Sequence, residues 1–182
     1  MGNTQTDPNF YELRDAVSSD RATAARLVAS NPGIVHARNS IGETALHFLA
    51  VENDLEGVTW LIRQGADINT RNNFEATPLM EAASLNYVAL CRFLLAQGAD
   101  VFAKDKNDGT VFSAASMSDA ADACETTLLE LMLEHLGDVD LNDVIEELNA
   151  HFIVARGHPA VIQLLRSRGL KNWDDDPEQA PA

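Results

Sequence analysis

TALHFLAVENDLEGVTWLIRQGAD, residues 44–67, is followed 33 positions on by TPLMEAASLNYVALCRFLLAQGAD, residues 77–100. That interval is far longer than the period of a helix or a strand. What repeats is therefore a supersecondary unit, one that needs neighbouring copies to bury its apolar face. The register extends in both directions. Leu13, Ala16 and Val28 fall under Leu46, Leu49 and Leu61, and Thr110-Val111-Phe112-Ser113 falls under Thr77-Pro78-Leu79-Met80. After a five-residue insertion within 117–125, Gly169 falls under Gly98 and His151 under His47, which makes five units.

Each recurring residue has a mechanical role. Thr77 is of the type that caps a helix N-terminus through its hydroxyl, and Pro78 fits the first helical position, where no N–H is needed. Leu79, Ala82 and Ala83 follow at helical spacing, the two alanines small enough for close packing. Asn53, Asn86 and Gly157 occupy the column that ends the first helix of a pair, being types that tolerate the left-handed conformation. A second helix is expected from about Leu55 to Arg63, with Val58, Leu61 and Ile62 on one face and Gly65 as its terminator; Gly98 repeats that role. Neither helix is long enough to be stable alone.

The Thr-Pro-Leu and Gly-Ala-Asp signatures at this period resemble the ankyrin repeat, over roughly residues 11–170. The resemblance implies an all-α repeat fold, an ankyrin-type solenoid of stacked helix–turn–helix units with β-hairpin-like fingers. The terminal units read as caps, with Leu13-Arg14-Asp15-Ala16 replacing the motif in the first. Residues 1–9 read as a flexible leader, 10–171 as the repeat domain and 172–182 as an acidic, disordered tail, with Trp173 folding back over the last helix. The leader matches a myristoylation pattern, but no basic residue follows until Arg14, so a plain leader is the reading taken.

Composition narrows the function classes. A net charge of −15, from 28 acids against 13 bases, disfavours DNA or RNA, whose affinity rests on neutralised phosphates. No apolar run reaches the ~18 residues of a membrane span. Cys91 and Cys124 are too few for a disulfide framework and read as reduced thiols, giving a cytoplasmic expectation. His36, His47, His135, His151 and His158 are explained as repeat or loop positions, with His47 and His151 in the motif's own histidine column. No zinc spacing, phosphate-cradling loop or nucleophile elbow is present, so no enzyme activity and no cofactor are expected.

What remains is a protein-binding surface. Family resemblance places it on the fingertips and inner helices, which line a concave face. A basic residue recurs on the fingers at Arg38, Arg71 and Lys104, either pairing with acids along the stack or facing a partner. Ile41 and Phe74 recur at another finger column, and bare apolar residues on loop tips point to an interface. Phe48, Glu52, Glu81 and Leu85 are expected to point into the same groove, with Phe48, Phe74 and Leu85 as a compact anchor.

From Asp119 to Glu147 there are ten acids and no Lys or Arg. Asp143 and Glu146 have the spacing of a capping box, opening a longer helix in place of a finger and running towards Val154. With Glu147 they make an acidic end expected to steer a basic protein partner. The chain is expected to be monomeric when free and to act as a non-catalytic module neutralising a basic protein, in the manner of a bacterial immunity or antitoxin-type protein. The alternatives are a signalling scaffold or adaptor, a host-mimicking effector, or a structural subunit of a larger assembly.

Overall fold

Pairs of short antiparallel helices follow one another along the chain. The structure, a computed structural model, describes residues 5–116, 126–144 and 159–171. The pairs are α1 (Pro8–Ser19) with α2 (Arg21–Ser30), α3 (Ala45–Val51) with α4 (Leu55–Arg63), and α5 (Pro78–Ser84) with α6 (Val88–Ala96). Then come α7 (Val111–Ser116) with α8 (Thr127–Leu136), the short α9 (Leu141–Val144) and α10 (Pro159–Ser167). The inner helices α1, α3, α5 and α7 touch in chain order, and each outer helix packs on the inner helix of its own pair. The insertion, the expected long helix beyond Val144, Gly157, His158, Cys124, Trp173 and the tail lie outside the described residues.

Burial follows the 33-residue register. Leu13, Leu46, Leu79 and Phe112 form one buried column, and Val28, Leu61, Leu94, Met132 and Leu165 another. Each such side chain contributes roughly 1.5–3 kcal/mol by leaving water. Ala82 and Ala83 are fully buried, so α5 lies close against its neighbours. Cys91 is buried in the same core, and burial pushes its thiol up to about 12, which makes it a structural apolar residue.

The expected caps are present. The Thr77 hydroxyl accepts from the Met80 N–H at 3.3 Å, and Asp54 caps α4 by accepting from Gly57 N–H at 2.8 Å. Asn53 and Asn86 take φ of 55° and 56°, and Gly65 and Gly98 take 91° and 90°. Asp7 caps α1, which opens at Pro8, and its N–H donates to the Arg38 carbonyl at 2.8 Å. These two residues, read as leader in the sequence, thus belong to the first unit.

The fingers are hairpin-like turns without strands among the described residues; a single antiparallel bridge joins Arg38 and Thr44. Their tips are built by one column of short side chains, Asn39, Asn72 and Asp105. Asn39 Oδ1 accepts from the N–H of Ile41 and Glu43, Asn72 Oδ1 from Phe74 and Ala76, and Asp105 Oδ1 from Asn107 and Gly109. This side-chain–backbone pattern closes a turn that the backbone alone closes less well. The turn drives Gly42, Glu75 and Asp108 to positive φ (79°, 62° and 59°). Only the first of these is glycine, and a Cβ there would meet the Asn73 backbone nitrogen at 2.8 Å.

At the far end Asp140 caps the short α9, accepting from the Asn142 N–H at 2.9 Å and from its amide at 2.6 Å; the expected capping box of Asp143 needs Glu146, which lies outside the described residues. Those bonds hold the Asp140 carboxyl below its ordinary value. Asp140 stands immediately outside this helix, where a side-chain acceptor serves its first free N–H groups.

Candidate partner-binding face

The basic finger column is committed to the stack through backbone carbonyls. Arg38 Nη1 donates to the carbonyls of Gly42 and Arg71, both at 2.6 Å, and Nη2 donates to Thr70 Oγ1 at 3.1 Å. Arg71 Nη1 donates to the Lys104 carbonyl at 2.7 Å, one repeat further on. Arg71 also lies 3.7 Å from Glu75, an exposed pair of little energetic weight. Backbone bonds run beside this ladder. The Asn73 N–H donates to the Ile41 carbonyl at 2.9 Å, and the Lys106 N–H to the Phe74 carbonyl at 3.0 Å. Among the described residues the expected acid pairing appears as the Arg71–Glu75 contact, which lies within one finger. Arg38 and Arg71 chiefly clamp one finger to the next, and Lys104 supplies the last carbonyl of the ladder.

The clamp fixes the tips and leaves their apolar residues outside. Ile41 is 43% exposed, Phe74 59% and Leu85, just beyond the end of α5, 44%. Apolar side chains held in water by ordered turns are the kind of surface that a partner covers.

Phe48 sits differently from its expected place in that group. It is half-buried, with the Arg14 guanidinium 4.6 Å from its ring centroid and 4.8 Å from that of Tyr11. The cation covers the ring and satisfies much of its need for a neighbour. Phe48 and Glu52 line an open cleft of about 440 Å³ with Arg14, Asp15, Ser18 and Asp54. Glu81 lies in a second cleft of about 360 Å³, between α5, α7 and the third finger. Phe48 and Glu81 thus serve separate clefts.

Histidine 47 decides how the inner helices meet. Its buried ring accepts the Thr44 N–H at Nδ1 (3.2 Å) while Nε2 lies 3.1 Å from the Ala76 carbonyl of the next repeat. Only a tautomer with the proton on Nε2 serves both bonds. Burial pushes this imidazole down to about 4, with nearby Arg38 adding to the effect and the Ala76 bond opposing it. The neutral ring is therefore the folded form at physiological pH. In the fourth repeat Ser113 takes over the local half of the role, its hydroxyl accepting the Thr110 N–H at 2.7 Å. In the third repeat the position is Met80, which has neither donor nor acceptor of that strength.

Glu81 is half-buried, and its Oε1 accepts from the Asn72 amide at 3.3 Å. Burial first, then the Glu43 carboxylate, push its carboxyl above the ordinary value, with the Asn72 bond opposing. Asp143 is exposed on α9, and Glu146 and Glu147 lie outside the described residues. Sequence reasoning passed over Tyr11, Arg14, Met80 and Asp105. The available signals were Met80 in a histidine column and Asp105 in register with Asn39 and Asn72. Among the described residues no group of three or more His, Cys, Asp or Glu is placed to hold a metal, and no helix is long and apolar enough to cross a membrane.

Known proteins share this arrangement. Residues 13–105 match the sequence profile of ankyrin repeats in three copies. The chain is 33% identical over 70 residues to the serine/threonine-protein kinase VIK of Arabidopsis thaliana, covering 38% of this chain and 16% of that one. It is 25% identical over 150 residues to Inversin of dog and of human, covering 82% of this chain and 14% of each Inversin. The chain thus spans only a small part of the length of these relatives. A repeat of this kind implies a protein-interaction module, and by profile, register and helix pairing alike the chain belongs to the ankyrin-repeat family.

Proposed function

We propose that this stack is a non-catalytic docking module that holds a basic protein on its concave face and acidic C-terminal repeats, and neutralises it by covering its working surface inside the cell. The observation that carries this reading is the set of exposed apolar residues Ile41, Phe74 and Leu85, the first two on finger turns tied together by backbone hydrogen bonds. A preformed surface of this kind loses little affinity to ordering. The net charge of −15 and the ten acids between Asp119 and Glu147 favour a basic partner and speed its approach. Phe48, Glu52 and Glu81 flank the apolar residues from their two clefts; Arg38, Arg71 and Lys104 keep the fingers in register beneath the partner.

A second reading, a scaffold or adaptor, is favoured by one observation: in the kinase VIK and in Inversin the matching stretch is 16% and 14% of a much longer protein. In that case the stack would hold its partner without inhibiting it.

One experiment tests the first reading and separates it from the second. Wild-type chain is used as bait in lysate of its source cell, beside Phe74→Ala/Leu85→Ala and a triple reversal of Asp143, Glu146 and Glu147 to Lys. The expected partner is basic, loses more than about 1 kcal/mol of affinity to the double alanine change, and associates more slowly, with weaker salt dependence, with the reversed chain. It is also inactive while bound. An acidic partner, or an on-rate indifferent to the reversal, overturns the charge-steered reading. A partner fully active in the complex leaves the scaffold.

A further inference from the structure

Two successive seams between inner helices are built differently. Across the seam from α3 to α5, His47 reaches the Ala76 carbonyl. One period later the corresponding pair is Met80 and Gly109, and among the described residues no side chain makes the matching bond to the Gly109 carbonyl. The Gly109 carbonyl accepts from the Asp105 N–H alone among the described residues. At this seam, and beside Met80, the cleft of about 360 Å³ opens.

Its walls have a definite chemistry. Ala76, Met80 and Ala114 offer apolar surface, and two carboxylates line the cleft from different elements, Glu81 from α5 and Asp105 from the third finger. Glu81 uses one oxygen on Asn72, and its other has no donor among the described residues. Asp105 spends Oδ1 on the Asn107 and Gly109 N–H groups. Two carboxylates without a third ligand do not make a metal site. They repel an anion, and a neutral apolar group would leave them stripped of water without a partner.

The geometry points to a single arginine side chain of the partner as the occupant of this cleft: its methylenes against Met80 and Ala76, its guanidinium between Glu81 and Asp105. The inference rests on the docking reading above and names the residue that reading leaves open. Arginine fits better than lysine because its planar fork presents five donors in several directions, and it is less strongly hydrated. Met80 suits the stem, being soft and unbranched. Glu81, held above its ordinary value by burial and by Glu43, gains from any cation placed beside it.

The test uses the full chain, labelled with nitrogen-15, titrated with N-acetyl-Gly-Arg-Gly-amide and with its citrulline and lysine counterparts. Citrulline keeps the shape of arginine and removes the charge. The expected result is saturable perturbation of the Glu81, Ser84, Asn107 and Gly109 amides by the arginine peptide, with dissociation in the millimolar range. The lysine peptide binds several-fold more weakly and the citrulline peptide at least about tenfold more weakly, as loss of a charge-assisted pair implies. Glu81→Gln weakens arginine binding at least about fivefold without lowering the thermal midpoint, and Met80→His, which puts a ring into the seam, weakens it as well. Equal binding of arginine and citrulline, or an unchanged affinity in Glu81→Gln, overturns the inference. Should that happen while the wild-type chain still captures a basic partner, the cleft assignment fails alone. Loss of the partner itself would instead sink the docking reading.

Discussion

The seam between the second and third repeats is bridged by a histidine, and the one between the third and fourth is not. Across the first run His47 to Ala76, Arg38 to Arg71 and Thr70, Asn73 to Ile41 through the backbone, and Asn73 to Ser40 through the side-chain amide. Across the second run Arg71 to Lys104, Lys106 to Phe74, and Asp100 to Asn69. The backbone path is nearly the same in both. What differs is the side chain at one column, histidine or methionine, and the number of donors that the clamping arginine brings. The shared columns keep the stack, while the side chain at a single column decides whether a bond or a cleft lies between two inner helices.

The sharpest way to break this comparison is to remove the ring. His47→Ala leaves a cavity, an unpaired Thr44 N–H and an Ala76 carbonyl with one partner fewer, and should cost about 3 kcal/mol in urea unfolding. Met80→Ala at the equivalent column removes only apolar contacts and should cost less, about 2 kcal/mol. Equal losses would mean that the imidazole acts by its volume alone and that the two seams differ only in shape.

Acid should erase the difference. The folded-state imidazole titrates near 4, below its ordinary 6.5, so it is the unfolded chain that takes up the proton first. The stability due to the neutral ring is complete above about pH 6.5 and is lost as pH falls towards 4. Between pH 7.5 and 4.5 the gap between wild type and His47→Ala should narrow by about 2–3 kcal/mol. A gap that stays constant over that range would show that the ring is not held neutral.

The fingers offer a weaker contrast. Arg38 makes three bonds, two of them across to the next finger, and Arg71 makes one across. Arg38→Ala should cost about 2 kcal/mol and Arg71→Ala about 1, charge-assisted bonds each being worth more than neutral ones but partly exposed here. Hydrogen exchange provides the local readout, with Lys106 and Asp108 amides exchanging faster than Asn73 and Glu75. The reverse order would place the looser seam on the wrong side of the third repeat.

Much of this was legible in the sequence because core columns carry their own signal. Leu13, Leu46 and Leu79 had to be buried once the period was known, and Asn53, Asn86, Gly65 and Gly98 announced left-handed helix ends. The seams were legible only in part. Arg38 and Arg71 stood out as a column, yet their acceptors are backbone carbonyls, which every residue has and no residue type betrays. Phe48 read as an open anchor because the cation covering it, Arg14, belongs to the first repeat, where the motif is replaced. Met80 read as a match, since a methionine after Thr-Pro-Leu is as apolar as the core around it. Its consequence is a missing bond to a residue 29 positions away in the His47 counterpart, and only packing shows a missing bond. The Asp140 cap was hidden by the more familiar spacing of Asp143 and Glu146.

The smallest expected effect bears most directly on function. Burial and Glu43 disfavour the charged form of Glu81, so the folded chain holds a proton there more readily than the unfolded chain does. By linkage its contribution runs opposite to that of His47: stability rises as pH falls through the carboxyl's range and declines as pH rises. Glu81→Gln keeps an acceptor for the Asn72 amide and removes the charge. At pH 7.5 it should therefore stabilise the chain slightly, by no more than about 0.5 kcal/mol given how much water still reaches the group. Such a result would agree with a role for this carboxylate towards a partner, as the cleft assignment requires. Measured destabilisation in Glu81→Gln would instead make Glu81 a structural partner of Asn72 and leave the open seam without its charge.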